Sequence, residues 1–162
     1  MKLNTRINGK NFCLEINPNA MLVDVLRQAG FKSVKNGCSE GSCGACAVMI
    51  DGKPRNSCIT LAGAAENSEI LTVEGMGTPE KPHVLQQAFV DSGSTQCGFC
   101  NPGSLIAAKA LLDSNANPTV DDIKDALDGN LCRCTGYVKR IDAVLHAAKA
   151  SQTTKKSTRG KK

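Results

Sequence analysis

Gly37-Cys38-Ser39-Glu40-Gly41-Ser42-Cys43-Gly44-Ala45-Cys46 is the stretch on which the reading turns. Three cysteines fall at x4 and x2 spacing, and eleven residues separate Cys46 from Cys58. This is the plant-type [2Fe–2S] pattern. Each iron takes two thiolates in tetrahedral geometry, so three cysteines on one tight loop wrap the cluster and a distant fourth closes it. Gly37, Gly41 and Gly44 suit such a loop, because they let the backbone approach closely and turn its N–H groups towards sulfur. A zinc site built on four cysteines is the alternative, although zinc more often uses paired short knuckles.

Working outward, the flanks on both sides are β-rich. Leu3, Thr5 and Ile7 alternate, Asn8-Gly9 is a hairpin signal, and Phe12, Leu14 and Ile16 alternate again. Leu22, Val25, Leu26 and Ala29 then recur at helical spacing, stopped by Gly30. A strand over Ala47–Ile50, turned by Asp51-Gly52, and another over Ile70–Val73 complete a β-grasp layout, a sheet curled around one helix.

Past residue 82 the period becomes helical. Val84, Leu85, Ala88 and Phe89 form one apolar face. A second helix is expected from Asn101 as N-cap and Pro102 at the first position, running through Leu105, Ile106, Ala108, Leu111 and Leu112. A third begins at Thr119 with a capping-like Thr-Val-Asp-Asp, and Thr135 is expected to open the last. The predicted fold is therefore α+β: an N-terminal β-grasp, plant-type ferredoxin-like domain (1–76), a linker (77–82), a C-terminal four-helix [2Fe–2S]-binding bundle (83–150) and a basic flexible tail (151–162).

A second cysteine group lies in the helical half: Cys97-x2-Cys100, then thirty-one residues, then Cys132-x1-Cys134. Both pairs precede predicted helices, whose positive ends favour negative sulfur. Spacing alone leaves zinc and iron equally open here. Cys13, the ninth cysteine, alternates with Phe12 and Leu14, faces away from the core side and is read as a spectator thiol. His83 and His146 have no companion at ligand or general-base spacing and are read as structural or surface residues. Asp121-Asp122 is explained by its place at a helix start.

The 162 residues carry 20 Lys and Arg against 15 Asp and Glu, but the excess is confined to Lys155, Lys156, Arg159, Lys161 and Lys162. The body is neutral, and with no Trp, one Tyr and four Phe it lacks stacking platforms, so nucleic acid is not an expected partner. No apolar run approaches the length of a membrane span, so no membrane insertion is expected. The start, Met1-Lys2-Leu3-Asn4, carries neither an apolar segment nor a twin arginine, and a cytoplasmic location is expected. Disulfides are rare there, so nine cysteines point to metal.

The Gly37–Cys46 loop, together with Gln96-Cys97-Gly98-Phe99-Cys100 and Gly129-Asn130-Leu131-Cys132-Arg133-Cys134-Thr135-Gly136-Tyr137, resembles the iron–sulfur subunit of the molybdenum hydroxylases over about residues 1–150. That family includes xanthine dehydrogenase, aldehyde oxidase, aerobic-type carbon monoxide dehydrogenase and hydroxybenzoyl-CoA reductase. The resemblance implies two [2Fe–2S] clusters, one held by Cys38, Cys43, Cys46 and Cys58, the other by Cys97, Cys100, Cys132 and Cys134. It implies an electron wire that leads from a molybdopterin-binding large subunit towards an FAD-binding medium subunit. The helical-domain cluster would be proximal to molybdenum, and Gln96 and Cys134 match positions that contact the pterin in the partner. The chain would contribute no catalytic residue of its own.

This sequence departs from the family pattern at two places. Asn101 stands where Thr is usual, and Ser104 replaces a common apolar residue. Asn101-Pro102-Gly103 is nearer the flavin-linked branch than the Gln-Ser-Gly of the flavin-free one. Two rival functions are weaker. A free two-cluster ferredoxin leaves Gln96 and the Cys132-Arg133-Cys134 loop without a purpose, and a zinc-stabilised nucleic-acid binder conflicts with the neutral body.

Overall fold

The computed structural model describes the backbone of residues 1–159 and the side chains up to Gln152. The N-terminal half holds β1 (Lys2–Ile7), β2 (Lys10–Glu15), α1 (Leu22–Gln28), β3 (Ala47–Ile50), β4 (Lys53–Asn56) and β5 (Glu69–Leu71). They form one sheet of order β2-β1-β5-β3-β4. Only β1 and β5 pair in parallel, with Arg6 opposite Glu69 and Ile7 opposite Ile70.

Each antiparallel edge comes from a two-residue turn. Asn8 and Gly9 take φ of 50° and 77°, and Asp51 and Gly52 take 49° and 76°, the paired positive φ values of a type I′ hairpin. The β1–β2 register sets Leu3 opposite Leu14 and Thr5 opposite Phe12. Leu3 and Ile7 therefore face inward, where Leu22, Val23, Val25 and Leu26 of α1 pack against them with Val48 and Ile70. Cys13, on the opposite side of β2, is exposed.

The expected strand over 70–73 instead spans Glu69–Leu71, starting one residue earlier and ending two earlier. Asn8 is the cause: its carboxamide accepts from the Thr72 N–H at 2.8 Å and donates to Thr72 Oγ1 at 2.9 Å. The ladder is capped there, and the chain turns into a short 3₁₀ segment, Val73–Gly75.

Four helices follow: α2 (Val84–Asp91), α3 (Asn101–Ser114), α4 (Val120–Leu127) and α5 (Val138–Arg159). Leu85, Phe89, Ala108, Ile123, Val144 and Ala147 make their common core. His83 caps α2 by accepting from the Leu85 N–H at 3.2 Å, while Gln86 Oε1 reaches back to the His83 N–H at 2.7 Å. Thr119 and Asp122 cap α4 in the same reciprocal way.

Two expected helix starts are corrected. Cys100, not Asn101, is the N-cap of α3, so Pro102 occupies the second helical position. The Asn101 side chain points back to Thr95 Oγ1 at 2.8 Å instead of capping the helix. The last helix begins at Val138, not Thr135, because Thr135 is held by Cys132 and the chain passes through positive φ at Gly136 (64°) and Tyr137 (69°). That helix also runs past residue 150. No Gly or Pro interrupts Val138–Arg159, so it continues through much of the segment expected to be a flexible tail. Residues 160–162 of that segment lie outside the described part.

The two halves touch. Ala47 and Met49 of β3 pack with Ile106 of α3. A Cβ on Gly103 would lie 2.1 Å from the Gly44 carbonyl oxygen, so this helix approaches the first cysteine loop as only glycine allows.

Candidate iron–sulfur sites

The first site is the loop between α1 and β3, closed by Cys58 in a 3₁₀ turn, Ser57–Ile59. Cys46 and Cys58 are buried, and Cys38 and Cys43 are half-buried. The loop is locked from behind: Ser57 Oγ donates to the Cys46 carbonyl at 2.7 Å, and Asn56 Nδ2 to the Gly41 carbonyl at 2.8 Å.

Backbone amides converge on its sulfurs. Amides of Glu40, Cys43 and Ser42 hold the Cys38 thiol down at about 6, the first of them most strongly. Burial pushes Cys43 up against the opposing pull of the Ala45 amide, and burial with the neighbouring Cys46 thiol pushes Cys58 up to about 12. These opposed pulls have one origin. Thiols crowd together in a place short of water, and the remedy within the chain is N–H donors aimed at sulfur. A metal supplies the rest, because it deprotonates its thiols.

The second site joins the α2–α3 connection to the α4–α5 connection. Cys97 and Cys134 are exposed, Cys132 is half-buried and Cys100 is buried. Cys134 Sγ lies 3.6 Å from Cys97 Sγ. Two sulfurs on one tetrahedral metal with bonds of ~2.3 Å lie about 3.8 Å apart, so this pair suits a shared metal.

The Phe99 amide lowers the Cys97 thiol. Burial raises Cys132, but the Thr135 hydroxyl, the Thr135 amide and the Cys134 amide outweigh it and bring that thiol to about 7. Burial raises Cys100 despite the opposing hydrogen bond from Arg140, and the hydrogen bond shared with Cys97 raises Cys134. The Cys132 N–H donates to Tyr137 Oη at 2.9 Å, which folds the loop back on itself.

A dinuclear cluster needs four thiolates, two for each iron, and each site brings together four cysteines, which is the donor set a [2Fe–2S] cluster takes.

The two sites share a wall. The Leu131 N–H donates to the Cys43 carbonyl at 3.0 Å, and Asn130 Nδ2 donates to the Gly44 carbonyl at 3.2 Å. Gly44 has φ of 67°, and a Cβ there would stand 2.3 Å from the Gly129 carbonyl oxygen. Leu131 precedes Cys132, so one hydrogen bond connects the residue beside one sulfur group to a cysteine of the other.

Gln96 is exposed beside Cys97, and its amide takes no hydrogen-bond partner among the described residues. Around the second site Phe99, Leu131, Tyr137 and Val138 stand exposed as an apolar rim. Three contributors were not legible beforehand. Thr135 donates to Cys132 Sγ rather than opening a helix, Asn130 bridges the two loops, and Arg140 reaches Cys100 Sγ at 2.6 Å. Only the Ser104 departure hinted at the last, as a polar residue on an otherwise apolar helix face.

Comparison with known proteins agrees with this architecture. Residues 5–71 match the family model of the 2Fe-2S iron-sulfur cluster binding domain, and residues 72–145 match that of the [2Fe-2S] binding domain. The nicotinate dehydrogenase small FeS subunit of Eubacterium barkeri is 49% identical over 146 residues, covering 90% of this chain and 93% of that one. Quinoline 2-oxidoreductase from Pseudomonas putida 86 superposes with a TM-score of 0.90 at 42% identity, covering 94% of this chain and 96% of the matched chain. The aldehyde oxidoreductase of Desulfovibrio desulfuricans superposes with a TM-score of 0.92 at 45% identity. There the match covers 94% of this chain but only 17% of the other, so this chain corresponds to one segment of a much longer polypeptide. Two adjoining [2Fe–2S]-binding domains in this order, in a chain the length of the small subunits, place the protein in the family of iron–sulfur electron-transfer subunits of the molybdenum hydroxylases.

Proposed function

We propose that Cys38, Cys43, Cys46 and Cys58 hold one [2Fe–2S] cluster, and Cys97, Cys100, Cys132 and Cys134 the other. The chain then carries single electrons from a molybdopterin-binding large subunit, entering at the helical site and leaving by the β-grasp site towards an FAD-binding subunit. The observation that carries this reading is the Leu131–Cys43 hydrogen bond. It makes the two sulfur loops one continuous path, which a chain holding two independent structural metals has no need of.

The direction rests on exposure. The exposed rim at the second site and the free amide of Gln96 are what a buried partner cofactor requires of its neighbour: apolar area to exclude water, and a group that both donates and accepts. The first site is set deeper, with Cys46 and Cys58 at 1% and 4% exposure and Cys38 and Cys43 half-buried. The β-grasp half (1–76) and the four-helix half (83–150) are proposed as the functional units, with 77–82 between them. A cytoplasmic location is proposed with them; no helix among the described residues is long and apolar enough to cross a membrane.

The test is purification of the intact complex. Iron, acid-labile sulfide and pterin are measured, and cluster bleaching by the complex's own substrate is followed with and without Gln96→Ala. Two paramagnetic resonance signals on reduction, a co-purifying pterin subunit, and slower bleaching or pterin loss in Gln96→Ala at unchanged iron are expected. Stoichiometric zinc, or an active free carrier with no large subunit, would sink the proposal.

A further inference from the structure

Arg140 is the largest fully buried side chain among the described residues, at 1% exposure. It projects from the first turns of α5 to the N-terminal turn of α3. One guanidinium nitrogen donates to Ser104 Oγ at 2.7 Å; the other donates to Cys100 Sγ at 2.6 Å and to Asn101 Oδ1 at 3.4 Å. Its Nε is buried with no hydrogen-bond partner.

Among the described residues no carboxylate forms an ion pair with this cation; the salt bridges are Arg6–Glu69, Lys109–Asp113 and Lys124–Asp121, all elsewhere. A buried charge persists only when something opposes it. Ser104 and Asn101, the two departures from the family pattern, supply neutral oxygens that orient the fork but do not neutralise it. The one group it touches that carries negative charge in the metal-bound state is the Cys100 sulfur.

We propose that Arg140 is a positioning and charge-compensating residue for the second iron–sulfur site, with the cluster's thiolates as its counter-ion, and that it raises that site's reduction potential relative to the first. The proposal rests on the ligand reading given above. When a single electron arrives from an upstream donor, or from dithionite in a titration, the net negative charge of the site grows by one and no bond is broken. A fixed cation against one of its sulfurs stabilises the reduced form more than the oxidised form. Hydrogen bonds to sulfur act in the same direction. The first site offers the control, since the groups acting on Cys38, Cys43 and Cys58 are amides, burial and one another.

The experiment is a redox titration of the holoprotein in its complex, followed by paramagnetic resonance so that each cluster is read separately, with iron counted in every sample. Arg140→Gln and Arg140→Met remove the charge; Arg140→Lys keeps it. The expected result is a loss of at least tenfold in the reduction equilibrium of the second cluster in both neutral variants. For one electron that is a fall of about 59 mV. The first cluster should not move, and Arg140→Lys should recover more than half of the shift. Should the neutral variants lose the second cluster's iron altogether while keeping the first, recovery of that iron in Arg140→Lys supports the same dependence on charge. Equal loss in Arg140→Lys, or full iron with both potentials unchanged in Arg140→Gln and Arg140→Met, would reduce Arg140 to a packing residue. A wild-type sample without two reducible clusters would instead overturn the ligand reading itself.

Discussion

The two sulfur sites use the same number of cysteines and solve the crowding of thiolates differently. The first is a loop inside a sheet-and-helix core. Cys46 and Cys58 are almost fully buried, and its compensation comes from amides of the loop itself, with Glu40, Ser42 and Cys43 all serving Cys38. The second is assembled from two loops of a helical bundle. It leaves Cys97 and Cys134 at the surface, and it draws on side chains from elsewhere: Thr135, Tyr137 and a buried arginine. A loop that wraps its own cluster needs little from the rest of the fold. A cluster gripped between helices depends on tertiary placement, and it keeps an open side that a partner subunit can cover.

The largest effect should come from breaking the sites one at a time. Cys46→Ser should remove the first cluster and destabilise the sheet half that encloses it. Cys134→Ser should remove the second and leave the first, so that iron falls by about half in either variant while Cys13→Ser loses none. Iron counts with paramagnetic resonance on the reduced complex check this. Parallel loss of both clusters from Cys134→Ser would show that the two sites are not separable.

Gly44 tests the shared wall. At φ of 67°, with the Gly129 carbonyl oxygen 2.3 Å from where a Cβ would stand, Gly44→Ala must push the two loops apart. A loss of at least about 3 kcal/mol is expected, since it combines backbone strain with a contact that cannot relax into a side chain. Denaturant unfolding of the holoprotein measures it. The same variant should slow electron transfer between the clusters, because the Leu131–Cys43 hydrogen bond crosses that wall.

The exposed rim separates the two sites by partnership rather than stability. Leu131→Glu should leave iron and unfolding unchanged yet weaken assembly tenfold or more, since a charge would have to be buried in an apolar contact. Analytical ultracentrifugation of the reconstituted complex reads this out. An unweakened complex would mean that the partner docks elsewhere.

The smallest effect concerns the helical half alone. Burial, reinforced by Lys109, holds the His83 imidazole below its usual value, and its neutral Nδ1 caps α2. The unfolded chain therefore binds the proton more readily. The cap's contribution is complete above the ordinary histidine range near 6.5 and is lost as pH falls from there through the lower folded value. His83→Ala should cost about 1 kcal/mol at pH 8 and progressively less at acid pH. Thermal melts across that range provide the check.

Much of this was legible from residue order alone. Cysteine spacing marked the first group as a plant-type pattern, because a loop that wraps a metal constrains neighbours in sequence, whereas for the second group it left zinc and iron equally open. Asn8-Gly9 and Asp51-Gly52 announced their hairpins, because only certain residues accept paired positive φ. The helix faces followed from apolar period, and the Thr119 cap from its capping motif. What escaped was whatever depended on residues far apart in the chain. The first helical residue of α5 moved to Val138 because Thr135 was taken by Cys132, and β5 ended at Leu71 because Asn8 reached across to Thr72. Nothing in residue order marks Arg140 until α5 is laid against α3, forty residues away from the sulfur it meets. Local propensity and ligand spacing are properties of short segments and can be read directly. Which cation lies against which thiolate, and which carbonyl meets which amide across two loops, is decided by packing, because the energies involved exist only once water has been excluded between them.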